Sequence, residues 1–284
     1  MSTRAAMILC AGLGTRLRPL TDVLAKPMVP IGDRPALAHV VERVRAAAER
    51  LVVNVHHRPG DVRGWAEPEG IAVSFEPELL GTAGGVAAAG PLLGDGDVLV
   101  WNGDILTELD PRALVRAHDE GGAAATLAIV RRAAGEGNVG VGRDGSIVRL
   151  RKEPIGDPSR EVSGGDFLGI HVLGASFRGE LPSKGCLVGD VYLPALRRGA
   201  RLSAFESGVP FVDVGTIAQY LAANAAWLAQ RGLSSWAHPS AHVEADVSGS
   251  VIGAGARVEA AAVRSVVWPG ARVTSPVEGA VITA

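Results

Sequence analysis

The loop Ala11-Gly12-Leu13-Gly14-Thr15-Arg16 follows the apolar run Ala6–Leu9, and its residue types suit an anion. Two glycines let the backbone approach a phosphate closely, the N–H groups supply donors, and Arg16 adds a bidentate positive fork. No Gly-Lys-Ser/Thr follows, so this is not a Walker loop, and the third glycine of a dinucleotide fingerprint is absent. Lys26 comes soon after. The chain has only three lysines, Lys26, Lys152 and Lys184, and its other basic side chains are arginines. Each lysine therefore marks a candidate place for a compact charge on a flexible stem, although Lys184, in a Pro/Ser/Gly turn, reads equally as a residue that escaped the bias. Asp104, in Asn102-Gly103-Asp104, and Asp213, in Phe211-Val212-Asp213-Val214-Gly215-Thr216, each close an apolar run. A strand-end carboxylate is a hard-oxygen ligand of the kind Mg²⁺ takes, with phosphates and water completing the shell. Singly each reads as readily as a turn cap; the matching contexts make the pair the better signal.

The elements that must position these groups follow from periodicity. Ala6–Leu9 reads as a buried parallel strand. From Pro35 the spacing of Leu37, Val40, Val41 and Val44 predicts a helix to about Arg50. Strands are expected at Leu51–Val55, Ile71–Phe75, Val98–Trp101, Ala124–Val130, Ile147–Leu150 and Phe167–Leu173. Helices are expected around Asp61–Glu67, at Gly84–Leu93, from Asp110-Pro111 to about Glu120, and at Thr216–Gln230. Such alternation implies an α/β fold: a Rossmann-like mixed, mostly parallel sheet with helices on both faces, whose ligands bind beyond the carboxyl ends of the strands. After Gly232 short aliphatic steps recur every five to six residues between Gly, Pro and small residues. This pattern predicts a short left-handed hexapeptide-repeat β-helix, or else an irregular Ala/Gly/Val tail. The expected division is thus residues 1–232 and 233–284, with the few coils leaning on the main domain or on a second subunit.

The full run Gly12-Leu13-Gly14-Thr15-Arg16-Leu17-Arg18-Pro19-Leu20-Thr21, followed by Lys26-Pro27-Met28-Val29-Pro30, resembles the N-terminal signature of the nucleoside-diphosphate-sugar pyrophosphorylases. The resemblance covers roughly Ala5–Gln230, and the tail is similar to that of many mannose-1-phosphate guanylyltransferases. It implies transfer of a nucleotidyl group from a nucleoside triphosphate to a sugar-1-phosphate with Mg²⁺ as cofactor. Ala11, Gly12, Gly14 and Thr15 would then cradle the triphosphate. Arg16 would neutralise the departing phosphates, Lys26 would hold the phosphates near the reacting phosphorus, and Asp104 and Asp213 would clamp the metal.

Base choice is expected in Glu76–Val86, at Glu78, Gly81, Thr82 and Gly84, where small residues leave room for a flat ring. The stretch resembles the Leu-Gly-Thr-Ala-Gly segment of guanylyltransferases and also that of N-acetylmuramate-1-phosphate uridylyltransferases; guanine is preferred. Sugar-phosphate contacts are expected from Asn138, Gly140, Lys152, Glu153 and Gly169. Here the chain departs from the family's Glu-Lys-Pro, reading Arg151-Lys152-Glu153-Pro154, which leaves open a solvated hairpin edge. That inversion also motivates an alternative, a nucleotide-sugar-binding regulatory subunit without catalysis.

Composition limits the remaining possibilities. A formal charge of −2 gives no basic footprint for nucleic acid. The charge-free runs Leu79–Gly94 and Val214–Gln230 are broken by Gly, Pro, Gln and Asn, so no membrane span is expected. The opening Arg4–Ala11 mimics a signal peptide, but its apolar part is short and Arg16 and Arg18 follow. Cys10 and Cys186 cannot form a disulfide framework, which suits a reducing cytoplasm. His56-His57 and the pair His238, His242 lack partners at ligand spacing and read as surface loops. A homo-oligomer is compatible with so short a β-helix.

Overall fold

The computed structural model describes residues 5–284, so Arg4, which opens the signal-like stretch, lies outside the described residues. Contacts group the chain along lines other than the change of texture at Gly232. One unit holds the described residues up to Gly12 together with Val40–Phe211; the other holds Leu13–His39 with Val212–Ala284.

The first unit is built on a ten-stranded mixed sheet. Its parallel part contains β1 (Ala5–Leu9), β2 (Arg50–Val55), β3 (Ala72–Phe75) and β4 (Val98–Asn102). Its other strands are β5 (Ala125–Arg132), β6 (Val139–Gly142), β7 (Ile147–Leu150), β8 (Glu153–Pro154), β9 (Glu161–Leu173) and β10 (Leu202–Glu206). The order is β8-β7-β6-β9-β4-β1-β2-β3, with β5 beside β9 and β10 parallel to β5. Met7, Val52, Val100, Leu127, Ile129 and Tyr192 belong to one continuous core, and burial on both faces is why the parallel strands read as unbroken apolar runs. Leu9 is in register with Asn54 and with Asn102, so β1, β2 and β4 end together, and their polar continuations collect at one edge.

Several boundaries differ from expectation. The helix from Ala36 stops at Val44, because bonds from Ala46 to Arg43 and from Ala47 to Val44 tighten the next turn before β2 begins at Arg50. The expected helix Gly84–Leu93 is two helices, Gly81–Ala88 and Gly90–Leu93, parted where Pro91 begins a new first turn. Strand β9 begins six positions earlier than periodicity suggested, at Glu161 instead of Phe167. Its register against β5 shifts between Phe167 and His171, where Gly169 takes φ 76°. Asp110 caps its helix as expected, accepting from Arg112, and Thr216, expected as the first residue of the last helix, is its N-cap and accepts from Gln219.

In the second unit the helix Ile217–Gln230 packs against the loop that follows Gly12 and against the C-terminal strands. Tyr220 Oη donates to the Pro30 carbonyl at 2.7 Å and accepts from Trp268 Nε1 at 2.9 Å. Gly32 N–H donates to Asn224 Oδ1 at 2.9 Å. The tail is a parallel β-helix of three short sheets. Its register partners Trp236, Val251, Val266 and Val281 recur every fifteen positions. Steps of six, five and four residues separate Trp236, His242, Val247 and Val251, which is why the sequence showed a blurred spacing of five to six. One corner repeats with positive φ at Gly249, Arg264 and Gly279. Ser250 and Ser265 line the interior, each hydroxyl accepting from the backbone of the next coil. No helix among the described residues is long and apolar enough to cross a membrane.

Candidate nucleotide and sugar-phosphate site

In the second unit the structure brings together Arg16, Lys26 and Asp213. Gly14 holds φ 63° at the entry to a 3₁₀ turn, Thr15–Leu17, and a side chain there would lie 2.7 Å from Thr21 Cγ2. Thr21 Oγ1 donates to the Gly14 carbonyl at 3.0 Å, which fixes the loop. The guanidinium of Arg16 lies 4.0 Å from Asp213 Oδ2 and the ammonium of Lys26 lies 3.8 Å from Asp213 Oδ1. Lys26 is only 12% exposed, whereas Arg16 is 67% exposed and reaches into solvent. A side chain at Gly215 would come within 3.0 Å of both Arg16 and Asp213, so this glycine gives the cluster its room.

In the first unit Asp104 sits just beyond β4. Gly103 N–H donates to the Leu9 carbonyl at 2.9 Å, and a side chain at Gly103 would meet Cys10 Sγ at 2.8 Å. The Asn102-Gly103-Asp104 turn therefore folds directly over the end of β1, beside Ala11 and Gly12. The Cys10 thiol is pushed far up, first by burial and then by the Asp104 charge. Gly12 is exposed, and nothing lies within 4 Å of where its Cβ would be, so its smallness leaves open space and is not taken up by packing.

At the expected base segment the small residues have another use. Side chains at Gly81 and Gly84 would meet the carbonyls of Gly185 and Ser183 at 2.4 and 2.5 Å. Ala83 N–H donates to Gly185 O, Gly185 N–H to Leu80 O, and Leu187 N–H to Thr82 Oγ1 at 2.8 Å. The segment Ser183–Leu187 thus lies along Leu80–Gly84. Glu78 is exposed and bonds Lys184 at 2.7 Å, which holds its carboxyl below the usual range. Asn54, which sequence reasoning did not single out, and Glu76, which opens the expected base stretch, are buried behind this segment.

The expected sugar-phosphate residues fall around β6, β7 and β9. Asn138 Oδ1 accepts from Phe167 N–H at 2.8 Å, and its carbonyl accepts from Arg151 N–H at 2.6 Å. A side chain at Gly140 would meet Glu161 Oε2 at 2.4 Å, and one at Gly169 would meet Asn102 Nδ2 at 2.3 Å. Arg149 forks onto Glu161 with two bonds of 2.9 Å and also donates to the Glu136 and Gly137 carbonyls. That pairing holds the Glu161 carboxyl below its ordinary value. Arg149 and Glu161 were missed because their separation of twelve positions carries no motif. Lys152 is exposed in the two-residue turn joining β7 to β8, and Glu153 pairs with Arg197. Among the described residues no three His, Cys, Asp or Glu side chains form a metal cage, and His238 Nδ1 bonds Ser240 Oγ instead.

Comparison with known proteins follows these lines. A mannose-1-phosphate guanyltransferase of Schizosaccharomyces pombe is 29% identical over 262 residues, covering 87% of this chain and 69% of that one. An N-acetylmuramate alpha-1-phosphate uridylyltransferase of Neisseria meningitidis is 39% identical over 112 residues, covering 37% of this chain and 48% of that one. The chain spans between 62 and 69% of the length of the guanyltransferase relatives it matches. HddC from Yersinia pseudotuberculosis, solved in complex with GMP-PN, shares the fold with a TM-score of 0.65 at 21% identity, over 79% of this chain and 99% of that one. A family model described as nucleotidyl transferase matches residues 5–230, and the chain belongs to that family.

Proposed function

We propose that this nucleotidyl transferase joins GTP to a sugar-1-phosphate, mannose-1-phosphate by preference, and releases pyrophosphate. The observation that carries the reading is the convergence of Arg16 and Lys26 on Asp213. Two cations and a carboxylate held in one place suit a reaction in which two anions must meet. An oxygen of the sugar phosphate attacks the α-phosphorus, the bond from that phosphorus to the oxygen bridging the β-phosphate breaks, and pyrophosphate leaves. Arg16 carries charge on the departing phosphates. Lys26, its stem largely buried, holds the phosphates near the reacting phosphorus. Gly12 leaves space for them, with Ala11, Gly14 and Thr15 around the same loop. Asp104 and Asp213 offer hard carboxylate oxygens that suit Mg²⁺, whose charge when bound would offset that of the triphosphate. Glu78, Gly81, Thr82 and Gly84 belong to the base-reading stretch. Asn138, Gly140, Lys152, Glu153 and Gly169 are assigned to the sugar phosphate.

Support for guanine comes from the named guanyltransferase relatives and from the GMP-PN complex of a protein with this fold. The 39% identity to a uridylyltransferase over 112 residues favours a second reading, with UTP and an amino-sugar phosphate. Incubation with GTP, UTP and dTTP across a panel of sugar-1-phosphates, following pyrophosphate, separates them; silence with every triphosphate would defeat both. Replacing Asp104 by Asn is expected to lower turnover by on the order of 10²–10³, the cost typical of one lost charge contact, while nucleotide binding largely survives. Unchanged turnover would remove Asp104 from the mechanism.

A further inference from the structure

The carboxylate of Glu76 is buried, with the residue 1% exposed, and among the described residues no basic side chain pairs with it. Its Oε1 accepts from Asn54 Nδ2 at 2.6 Å and its Oε2 accepts from Leu80 N–H at 3.1 Å. Asn54, 3% exposed at the end of β2, accepts from Cys10 N–H through Oδ1 at 2.7 Å. The orientation is forced. A backbone N–H can only donate, so the amide oxygen must face Cys10 and the NH₂ must face the carboxylate. A side chain at Gly85 would lie 2.7 Å from both Asn54 Nδ2 and Glu76 Oε1, so the bridge fills the space that glycine leaves.

These bonds link two stretches far apart in sequence. Cys10 leads directly into Ala11 and Gly12, and Leu80 leads directly into Gly81 and Thr82. A buried carboxylate without a cation is costly, and an apolar pair would fill the same volume more cheaply. We propose that Asn54 and Glu76 are positioning residues that set the spacing between the phosphate-binding backbone and the base-reading segment, without touching substrate. This rests on the nucleotidyltransferase reading and adds to it the groups that fix the register of the two half-sites for a nucleoside triphosphate.

The test is a pair of single variants and their combination. Asn54→Asp sets two carboxylates against each other. Glu76→Gln must give its oxygen to Leu80 N–H and so turns NH₂ against NH₂. The double variant restores every bond, because the new amide donates to the new carboxylate and Cys10 N–H keeps its acceptor. Each single change should raise KM for the nucleotide roughly tenfold or more, as expected for loss of a hydrogen bond to a charged group. KM for the sugar phosphate should stay within about twofold, and the double variant should recover most of the loss because the two positions are coupled. Unchanged kinetics in the singles, equal rises in both KM values, singles that do not fold, or no recovery in the double would each overturn the proposal. An unaltered chain that turns over no triphosphate would instead defeat the functional reading, and that is seen before any variant is made.

Discussion

The imidazole of His171 lies wholly buried between the rings of Phe167 and Tyr192, with both centroid distances 5.6 Å, and neither of its nitrogens has a hydrogen-bond partner among the described residues. Burial holds it neutral, lowering its pKa from 6.5 to about 3. Between those values the unfolded chain binds a proton that the folded chain refuses. Stability is therefore whole above pH 6.5 and falls as the pH drops through this window, by about 1.4 kcal/mol per unit. Thermal unfolding at a series of pH values should show that slope, and His171→Phe should flatten it; an identical slope in the variant would place the acid sensitivity elsewhere. The same scale separates two glycines that look alike in sequence. Gly14 is small because Thr21 crowds it, whereas nothing in the protein fills the space in front of Gly12.

Elements are held by a few close approaches that allow no side chain. Gly32 takes φ 63°, and a Cβ there would lie 2.0 Å from the Trp227 ring on the helix Ile217–Gln230. The residue thus seats the loop Leu13–His39 against that helix. Gly32→Ala combines a left-handed backbone with overpacking and should destabilise by about 2–5 kcal/mol. Chemical denaturation would measure this, and a loss under about 1 kcal/mol would show that the helix can give way. The segment Ser183–Leu187 docks on Leu80–Gly84 by the same logic. Smallness at Gly81 and Gly84 is thus required for backbone packing whether or not a base also uses it.

The β-helix belongs with the loop that carries Arg16 and Lys26, because Trp268 bonds the Tyr220 hydroxyl that in turn bonds Pro30. A chain ending at Gly232 would strip that donor and uncover Trp227, which is 5% exposed and packs edge-on against Trp236 at 5.6 Å. Losing one buried ring contact and one hydrogen bond should cost on the order of 2–4 kcal/mol. Pyrophosphate release should fall with it, since the loop loses its support. Full activity at an undiminished melting temperature would show that the tail is dispensable to this unit.

What the amino-acid order determined is what local chemistry determines. Apolar runs made the strands, Asp110 and Thr216 capped their helices, and a long contiguous signature named the family through its glycines and cations. Fifteen-residue coils were only half legible, because steps of six, five and four residues blur into an average. The pairings of Arg149 with Glu161 and of Asn54 with Glu76 were not legible. Their partners stand twelve and twenty-two positions apart, and an isolated Asn or Glu carries no periodicity until strands bring the pair together. Tertiary structure alone decided which small residues face open space and which make room for another backbone. A glycine's sequence context does not record what lies across the space where its Cβ would be.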